Sequence, residues 1–516
     1  MMYYYVKEDP TELYHERRQL LVGQIHSARL ARKALKEKKA QPKSMSSRAA
    51  RGALGLFVVA LIMVGIVLVG ASGPAHASTT STVNTTADIP DAIPPSGTSA
   101  NSEQGETPNP SRLLQKAERE GSVRVIVRLS TDFVPEGRLD RTEVADQRDA
   151  IESAQAALQE NLQGTEYQTL REYETIPYIA LNVSPRALQA IQRSSLATDV
   201  VEDRLDEAYL DESATEDLDS PSLAQSAPLV QAATMWANGF TGSGQVVAVL
   251  DTGVDSAHPF LAGKVVEEAC FTSNRVAGSG NCPNGTSTQT GPGSGVPCTY
   301  APSGCRHGTH VAGIAAGRGS TFSGVAKDAN VMSVQVFSRF TGSVCASSGE
   351  DPCTRSYVSD QMAGLERVFA LRFTRNFSSV NMSIVGGRFT SNCDTDPRKA
   401  IIDNLRSAGI ATVISSGNDG FTDAMAAPAC ISSAVSVGST TKFDTLTSFS
   451  DSASFLSLLA PGENINSSVP GEDSPSSAAP PWLHRTLREH GRSSSSRTHW
   501  PRSLPSSLTC RRPVSP

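Results

Sequence analysis

The sequence has no excess of basic residues, because 46 Lys and Arg stand against 52 Asp and Glu, for a formal net charge of -6. Nucleic-acid binders carry a basic patch or stripe, so the composition argues against that class. No Cys-x-x-Cys pair and no internal repeat occur. The first absence argues against a structural zinc site. With 516 residues, 39% of them hydrophobic, the chain is long enough for two or three globular domains.

Cysteines are present in a number that suits an exported protein. Without Cys510, which lies in the C-terminal tail, eight of the nine remain: Cys270, Cys282, Cys298, Cys305, Cys345, Cys353, Cys393 and Cys430. An even set predicts disulfides. The short separations Cys298/Cys305 and Cys345/Cys353 predict two local loop closures, and the other pairings stay open.

The one long apolar run covers residues 53–71, after Arg51 and before the small-residue stretch 75–77. This order is typical of a signal peptide, so residues 1–77 are interpreted as an N-terminal extension and signal peptide of a secreted protein. The run is also long enough for an uncleaved membrane anchor, which stays as the alternative. Met45 begins a more ordinary signal sequence than Met1 does.

Residues 78–110 are rich in Ser, Thr and Pro and are predicted to be a linker. After them, residues 111–228 are predicted to hold a small α+β domain and an acidic segment. Alternating apolar residues predict strands at 123–129 and 178–183, with helices and a further strand at 200–205 between and after them. Residues 206–219 are acidic and are expected to be exposed.

Residues 229–471 have the pattern of an α/β domain. Short apolar runs typical of strands buried on both faces occur at 246–250, 331–337, 380–384, 410–415 and 434–437. Helical stretches lie between them, notably 357–373 and 398–407. We therefore predict a doubly wound, mostly parallel sheet whose site lies beyond the carboxyl ends of the strands.

Two polar residues fall where such a sheet places its chemistry. Asp251 ends the run 246–250, although a turn residue is the plainer interpretation of that position. His307 opens the small-residue segment 307–317, from which its imidazole could meet the Asp251 carboxylate. A metal pair of His307 and His310 is disfavoured, because helical zinc ligands are four apart with a Glu between them.

Asn418 is the third candidate, since it follows the predicted strand 410–415 within the segment 415–420. Its side-chain amide could donate to the oxyanion of a tetrahedral intermediate. An Asn-Asp-Gly turn is the alternative interpretation.

With these flanks and in this order, Asp251, His307 and Asn418 resemble the subtilisin-like (subtilase, peptidase S8) serine proteases, in which the aspartate also precedes the histidine. The resemblance covers about residues 229–470. It includes the lesser signatures Gly-Val-Ala at 324–326, Asn-Met-Ser at 381–383 and Ala-Pro-Gly at 460–462. Residues 122–210 are similar to the subtilase propeptide, an intramolecular chaperone and inhibitor.

The resemblance implies endopeptidase chemistry on protein or peptide substrates, with Asp251 orienting His307 as general base and Asn418 stabilising the oxyanion. It also implies that Ser383 and Gly386 line the substrate site. The resemblance implies no catalytic cofactor. Structural calcium is common in such proteases, but the sequence does not identify a set of calcium ligands. The cysteine-bearing insert 268–305 and the variation at Ile384 and Val385 leave substrate preference open.

The expected nucleophile is missing. After Gly471 the family continues into Gly-Thr-Ser-Met-Ala-x-Pro-His-Val-Ala-Gly, whose serine attacks the substrate, whereas residues 472–516 are rich in Ser, Pro and Arg and carry no such motif. Codons for residues 479–490 can be chosen so that the frame one base back encodes Thr-Ser-Met-Ala-Ser-Pro-His-Val-Ala-Gly-Ala. We therefore predict a frameshift between about Val469 and Ala479, with the serine codon straddling Pro480 and Pro481.

Two hypotheses follow for this chain. The first is a secreted, propeptide-bearing serine endopeptidase that is inactive without its serine, since loss of the subtilisin nucleophile lowers turnover about a million-fold. The second is a non-catalytic protein that keeps the protease scaffold to bind peptides. Ser467 and Ser468 are nearby hydroxyls, but nothing in the sequence puts them at a helix start, and neither is predicted to replace the nucleophile.

Overall fold

The computed structural model describes residues 110–208, 223–273, 280–463 and 465–471. The predicted signal peptide and apolar run, nearly all of the predicted linker, most of the acidic segment and the tail from residue 472 lie outside the described residues. Among the described helices, none has both the length and the apolar character that crossing a membrane requires.

The N-terminal domain combines three helices with an antiparallel sheet. Its elements are α1 (Pro110–Glu120), β1 (Val123–Leu129), α2 (Arg141–Asn161), β2 (Tyr167–Glu172), β3 (Tyr178–Val183), α3 (Pro185–Arg193), β4 (Ala197–Glu202) and β5 (Leu205–Asp206). The first four strands form one sheet in the order β2-β3-β1-β4. The predicted strands at 123–129 and 178–183 are confirmed, whereas β2 was not predicted and the predicted strand 200–205 divides into β4 and β5.

The two central strands of this sheet, β1 and β3, are buried on both faces, so they are not half-buried as their alternation suggested. Val125 and Val127 of β1 pack in a core with α1 and α3, while Ile126 points the opposite way into the core of the second domain. Tyr178 and Ala180 of β3 join Ile126 there. The sheet is therefore packed between its own helices and its neighbouring domain.

The second domain contains the remaining elements. They are α4 (Leu223–Leu229), α5 (Ala232–Ala237), β6 (Val246–Asp251), β7 (Val265–Phe271), β8 (Thr288–Thr290), α6 (His307–Ala316), β9 (Asn330–Gln335), β10 (Ser338–Phe340), β11 (Cys353–Tyr357), α7 (Val358–Ala370), β12 (Phe377–Met382), β13 (Gly386–Phe389), α8 (Lys399–Ser407), β14 (Ala411–Ser415), β15 (Met425–Ala427), β16 (Val435–Thr440) and β17 (Leu458–Pro461).

Eight strands form one sheet in the order β17-β16-β14-β12-β6-β9-β7-β8, and only the edge pair β7-β8 is antiparallel. The predicted doubly wound, mostly parallel sheet is thus confirmed. From β6 the chain passes to β7 and then returns to β9 beside β6, and it continues on the other side through β12, β14, β16 and β17. The point where the order reverses lies between β6 and β12, where ligands bind in open α/β sheets.

The central strand β6 shows how the sheet is covered. Val247 and Val249 pack against α6, while Ala248 and Leu250 pack on the other face with residues of α7 and α8. Successive strand residues point to opposite faces, so an unbroken apolar run is what a strand buried on both sides requires.

The two domains meet through polar as well as apolar contacts. Asp203 is fully buried and accepts hydrogen bonds from the Ser359 backbone N–H (2.9 Å) and hydroxyl (2.7 Å), at the first turn of α7. A carboxylate at this end of a helix satisfies a donor that has no partner within the helix. Arg124 holds the same carboxylate at 2.8 Å. The N-terminal domain therefore caps a helix of its neighbour.

The expectation that the acidic segment is exposed from residue 206 onward is wrong at its first position. Asp206 is fully buried, because its carboxylate bonds to the buried Arg398 guanidinium at 2.5 Å. The charge pattern predicts an exposed segment. Asp206 is buried instead because its partner Arg398 lies 192 residues further along the chain, where the sequence pattern does not reveal it.

Four disulfides join the eight cysteines counted above. The predicted local closures Cys298–Cys305 and Cys345–Cys353 are confirmed. The two pairings that the sequence left open are Cys270–Cys282 and Cys393–Cys430.

Candidate active site

The site begins at the carboxyl end of β6, where the chain leaves the sheet at Asp251. The Asp251 carboxylate contacts His307 Nδ1 through both oxygens, at 2.7 and 2.8 Å. Asp251 is fully buried and His307 is 3% exposed, so the pair is held away from bulk water. A carboxylate on Nδ1 fixes the ring orientation and the tautomer, and it leaves Nε2 as the working nitrogen.

Close packing of two chain segments brings the pair together. Gly308 donates its N–H to Thr252 Oγ1 at 3.0 Å. A Cβ added at Gly308 would overlap the carbonyl oxygen of Gly253, so only glycine permits this approach of α6 to the turn after β6. Cys298 N–H donates to the Thr252 carbonyl at 3.0 Å, and the disulfide to Cys305 closes the loop that leads into His307.

Two serines lie near the histidine helix, but their hydroxyls are used elsewhere. Ser467 donates to the carbonyl of His310 at 2.9 Å and Ser468 donates to that of Thr309 at 3.0 Å. Within the described residues, no hydroxyl is hydrogen-bonded to His307 Nε2. The structure thus assigns these serines to packing on α6.

His310 is not a second working imidazole. Its Nε2 donates to the Ile465 carbonyl at 2.7 Å, and burial lowers its pKa to about 4. It is therefore neutral at physiological pH. In the part of the chain that the structure describes, no group of three or more His, Cys, Asp or Glu side chains is arranged to hold a metal ion.

Asn418 follows β14, two strands from β6 at the same edge of the sheet. Asp451 fixes the loop that carries it, because one carboxylate oxygen accepts the backbone N–H groups of Asp419 and Phe421, each at 3.0 Å. The Asp451 N–H donates to the Gly417 carbonyl at 3.1 Å. Burial raises the pKa of Asp451 to about 6. The Asn418 side chain is half-buried, which leaves it accessible to a ligand.

Ser383 and Gly386 follow β12, the strand between β6 and β14. Gly386 begins β13 and pairs with Ala427, and a Cβ added at Gly386 would overlap a carboxylate oxygen of Asp206. The predicted substrate-binding glycine is therefore in contact with the N-terminal domain.

Sequence reasoning missed three functional candidates near this edge, namely Asp206, Arg398 and Asp451. Each acts through a contact distant in sequence, and none belongs to a motif. Asp206 lies in an acidic stretch and Arg398 at a predicted helix start. Charged residues in such positions are expected to face solvent, so neither was predicted to be a site residue.

Comparison with known proteins gives this arrangement its family. A sequence model of the subtilase family matches residues 242–499, half of the chain. An alkaline protease of Alkalihalobacillus alcalophilus is 29% identical over 312 residues, which cover 59% of this chain and 66% of that protein. Subtilisin E of Bacillus subtilis is 26% identical over 310 residues, which cover 58% of this chain and 66% of that protein.

The chain belongs to the subtilase family. It spans just under two thirds of the length of the two relatives just described. The family match extends beyond Gly471 into the tail that the codon argument assigns to another frame, so the frameshift stays a prediction.

Proposed function

We propose that the gene encodes a secreted serine endopeptidase that hydrolyses peptide bonds, and that the chain as it stands lacks the nucleophilic serine. The observation that carries the proposal is the buried contact of both Asp251 oxygens with His307 Nδ1. Membership of the subtilase family supports the same chemistry. Four disulfides support export, because such bonds persist in oxidising compartments.

In this mechanism, Asp251 keeps the proton of His307 on Nδ1, so Nε2 accepts the proton of a serine hydroxyl as that oxygen attacks the peptide carbonyl. The imidazolium then gives the proton to the leaving amine. The Asn418 amide donates to the oxyanion of the tetrahedral intermediate, and Asp451 holds the loop that carries this residue. No metal or organic cofactor enters these steps.

The N-terminal domain is proposed to act as an intramolecular inhibitor. Glu207 and Val385 exchange two backbone hydrogen bonds of 3.0 Å each, beside the Ser383 and Gly386 positions assigned to substrate. A strand held in this way excludes a substrate peptide from the same backbone groups.

The nucleotide sequence across codons 465–490 tests the missing serine, and the frame one base back is expected to encode Thr-Ser-Met-Ala. The restored chain should then react covalently with a fluorophosphonate, which labels activated serines, and a His307→Ala variant should not. An unaltered frame together with an unlabelled product would overturn the proposal.

A non-catalytic peptide-binding protein is the second candidate, favoured by the same strand pairing between Glu207 and Val385. It predicts that the native gene product binds extended peptides at this position and gives no fluorophosphonate adduct. N-terminal sequencing of the exported protein separates a cleaved signal peptide from an uncleaved anchor in either case.

A further inference from the structure

Residues 205–207 lie as an added strand between two edges of the second domain. Leu205 and Asp206 pair antiparallel with Tyr357 and Ser356 of β11. Glu207 then bridges to Val385, just before β13. This is the geometry in which an extended peptide is bound by β-augmentation, where the main chain supplies affinity and the side-chain pockets supply specificity.

The Asp206 side chain enters a polar pocket. One carboxylate oxygen accepts from Arg398 Nη1 at 2.5 Å and from Gln361 Nε2 at 3.2 Å. The other oxygen occupies the space that the missing side chain of Gly386 leaves free. Asp206, Gln361 and Arg398 are each 0% exposed, so the carboxylate is recognised without bulk water.

Hydrogen bonds within the second domain orient the Arg398 guanidinium toward the carboxylate in the pocket. Asp396 bonds its Nε at 2.8 Å and its Nη2 at 2.7 Å, while Gln361 Oε1 accepts from Nη1 at 2.7 Å. Burial opposes the charge of Arg398, but Asp396 and Asp206 outweigh it and raise the pKa. The domain's own residues therefore orient the guanidinium and leave Nη1 directed at the peptide.

The side chain just before this strand matches the second charge of the pocket. Arg204 Nη2 bonds Asp396 at 2.9 Å, and Arg204 Nε approaches Asp206 at 3.2 Å. Residues two apart in a strand point to the same side, so a basic residue followed two positions later by an acidic one fits the Asp396–Arg398 pair. The reverse order would put like charges in contact.

We propose that the pocket of Gln361, Asp396, Arg398 and Gly386 is a specificity subsite that selects an acidic side chain in an extended peptide substrate, and favours a basic residue two positions before it. Asp206 of the chain's own N-terminal domain occupies this subsite in the structure. That the bound peptide is a substrate rests on the proposed peptidase function. The selectivity of the pocket rests on the geometry alone.

The first test uses the full chain and needs no catalysis. Backbone amide exchange of Glu207 and Val385 is measured with Asp, Glu, Asn or Leu at position 206. We expect Asp206→Asn and Asp206→Leu to speed exchange at both amides about tenfold or more, because hydrogen bonds to charged groups are the stronger class. Asp206→Glu should change it least. Equal exchange in all four chains overturns the subsite.

A charge-neutral double variant, Arg398→Gln with Asp396→Asn, removes both members of this pair together, while Asp206 keeps its contact with Arg204. In this variant, the amides of Glu207 and Val385 should exchange equally fast with Asp or Asn at position 206. Slower exchange with Asp would overturn the role of Arg398. Arg375→Gln is the matched control, since it removes an arginine from an exposed ion pair with Glu267. The comparison of the four chains stands even where the double variant does not fold.

The second test asks whether a separate peptide is selected. Octapeptides with the sequence of residues 201–208 and Asp, Asn or Leu at the sixth position are added to the full Asp206→Asn chain. The Asp peptide should protect Val385 at about tenfold lower concentration than the other two, and equal protection, or none from any peptide, overturns the proposal. Cleavage is followed separately in the frame-restored chain. Selective protection without cleavage therefore contradicts the peptidase function and leaves the subsite standing.

Discussion

The Asp251–His307 pair and the Asp206–Arg398 pair are both buried contacts between a carboxylate and a nitrogen-bearing side chain, and they are built differently. The first joins a strand end and a helix start of one domain, 56 residues apart in the chain. The second joins two domains across 192 residues. The first is fixed within one domain, because α6 packs against β6 and begins beside the carboxyl end of that strand. The second exists only while the domains are docked.

The sharpest test of the difference is Asp251→Asn in the frame-restored chain. Turnover should fall about ten-thousand-fold, because the amide no longer holds His307 in the required tautomer. Cleavage of a generic peptide, followed as kcat, measures it. His310→Gln is the control, since this neighbouring imidazole bonds to the Ile465 carbonyl and not to Asp251. A loss under tenfold in Asp251→Asn would contradict the assignment of the pair.

Asn418→Ala is expected to have the next largest effect. Loss of one oxyanion donor costs about 10² to 10³ in turnover, and KM should change little because the contact forms in the transition state. The control is Asp419→Ala, which changes the exposed neighbour in the same loop. Equal losses in the two variants would mean that the loop, and not the amide, matters.

The loop before His307 can be loosened without touching the pair itself. Removing the Cys298–Cys305 disulfide with two serines should cost about 2 to 3 kcal/mol of stability, because the closed loop no longer restricts the unfolded chain. The Cys345–Cys353 disulfide closes a loop of similar length, with a separation of 8 against 7, and it serves as the matched control.

Both disulfide variants should lower the denaturant midpoint by similar amounts. Only the first should also lower turnover, because Cys298 bonds to the Thr252 carbonyl, and Thr252 in turn bonds Gly308 beside the imidazole. Equal losses of turnover would show that the loop has no particular role in holding the histidine.

The same contrast explains what the sequence could predict. Apolar runs and turn positions predicted five strands of the central sheet, and with them the position of Asp251 and Asn418 at one edge, whereas β7 and β17 were not predicted. Edge elements such as β8, three residues long, and the short strand β5 carry too few residues for a periodic signal. Arg398 was not predicted as a site residue because a buried arginine depends on Asp396 and Asp206, and only the folded chain brings the second of these to it.

The effect expected to be smallest on turnover is a pH dependence of domain docking. Glu366 on α7 accepts from the Thr175 N–H at 2.8 Å and hydroxyl at 2.7 Å. Burial raises its pKa to about 7, from an ordinary value of 4.5, against the opposing effect of the Thr175 hydrogen bonds. The folded chain therefore binds a proton that the unfolded chain has released, so this contribution to stability is full below pH 4.5 and is lost as the pH rises through about 7.

Thermal unfolding between pH 5 and 8 checks this expectation. Glu366→Gln should flatten the decline toward pH 8, which amounts to about tenfold in the folding equilibrium for each unit by which the pKa differs between the folded and the unfolded chain. Glu174→Gln is the control, because that carboxylate is 68% exposed at the same interface. The Asp251–His307 pair lies in the second domain alone, so activity of the released domain should not follow this profile. If stability and the activity of the released domain changed in parallel with pH, domain docking and catalysis would share one titrating group. That outcome would contradict the assignment of the pH dependence to Glu366.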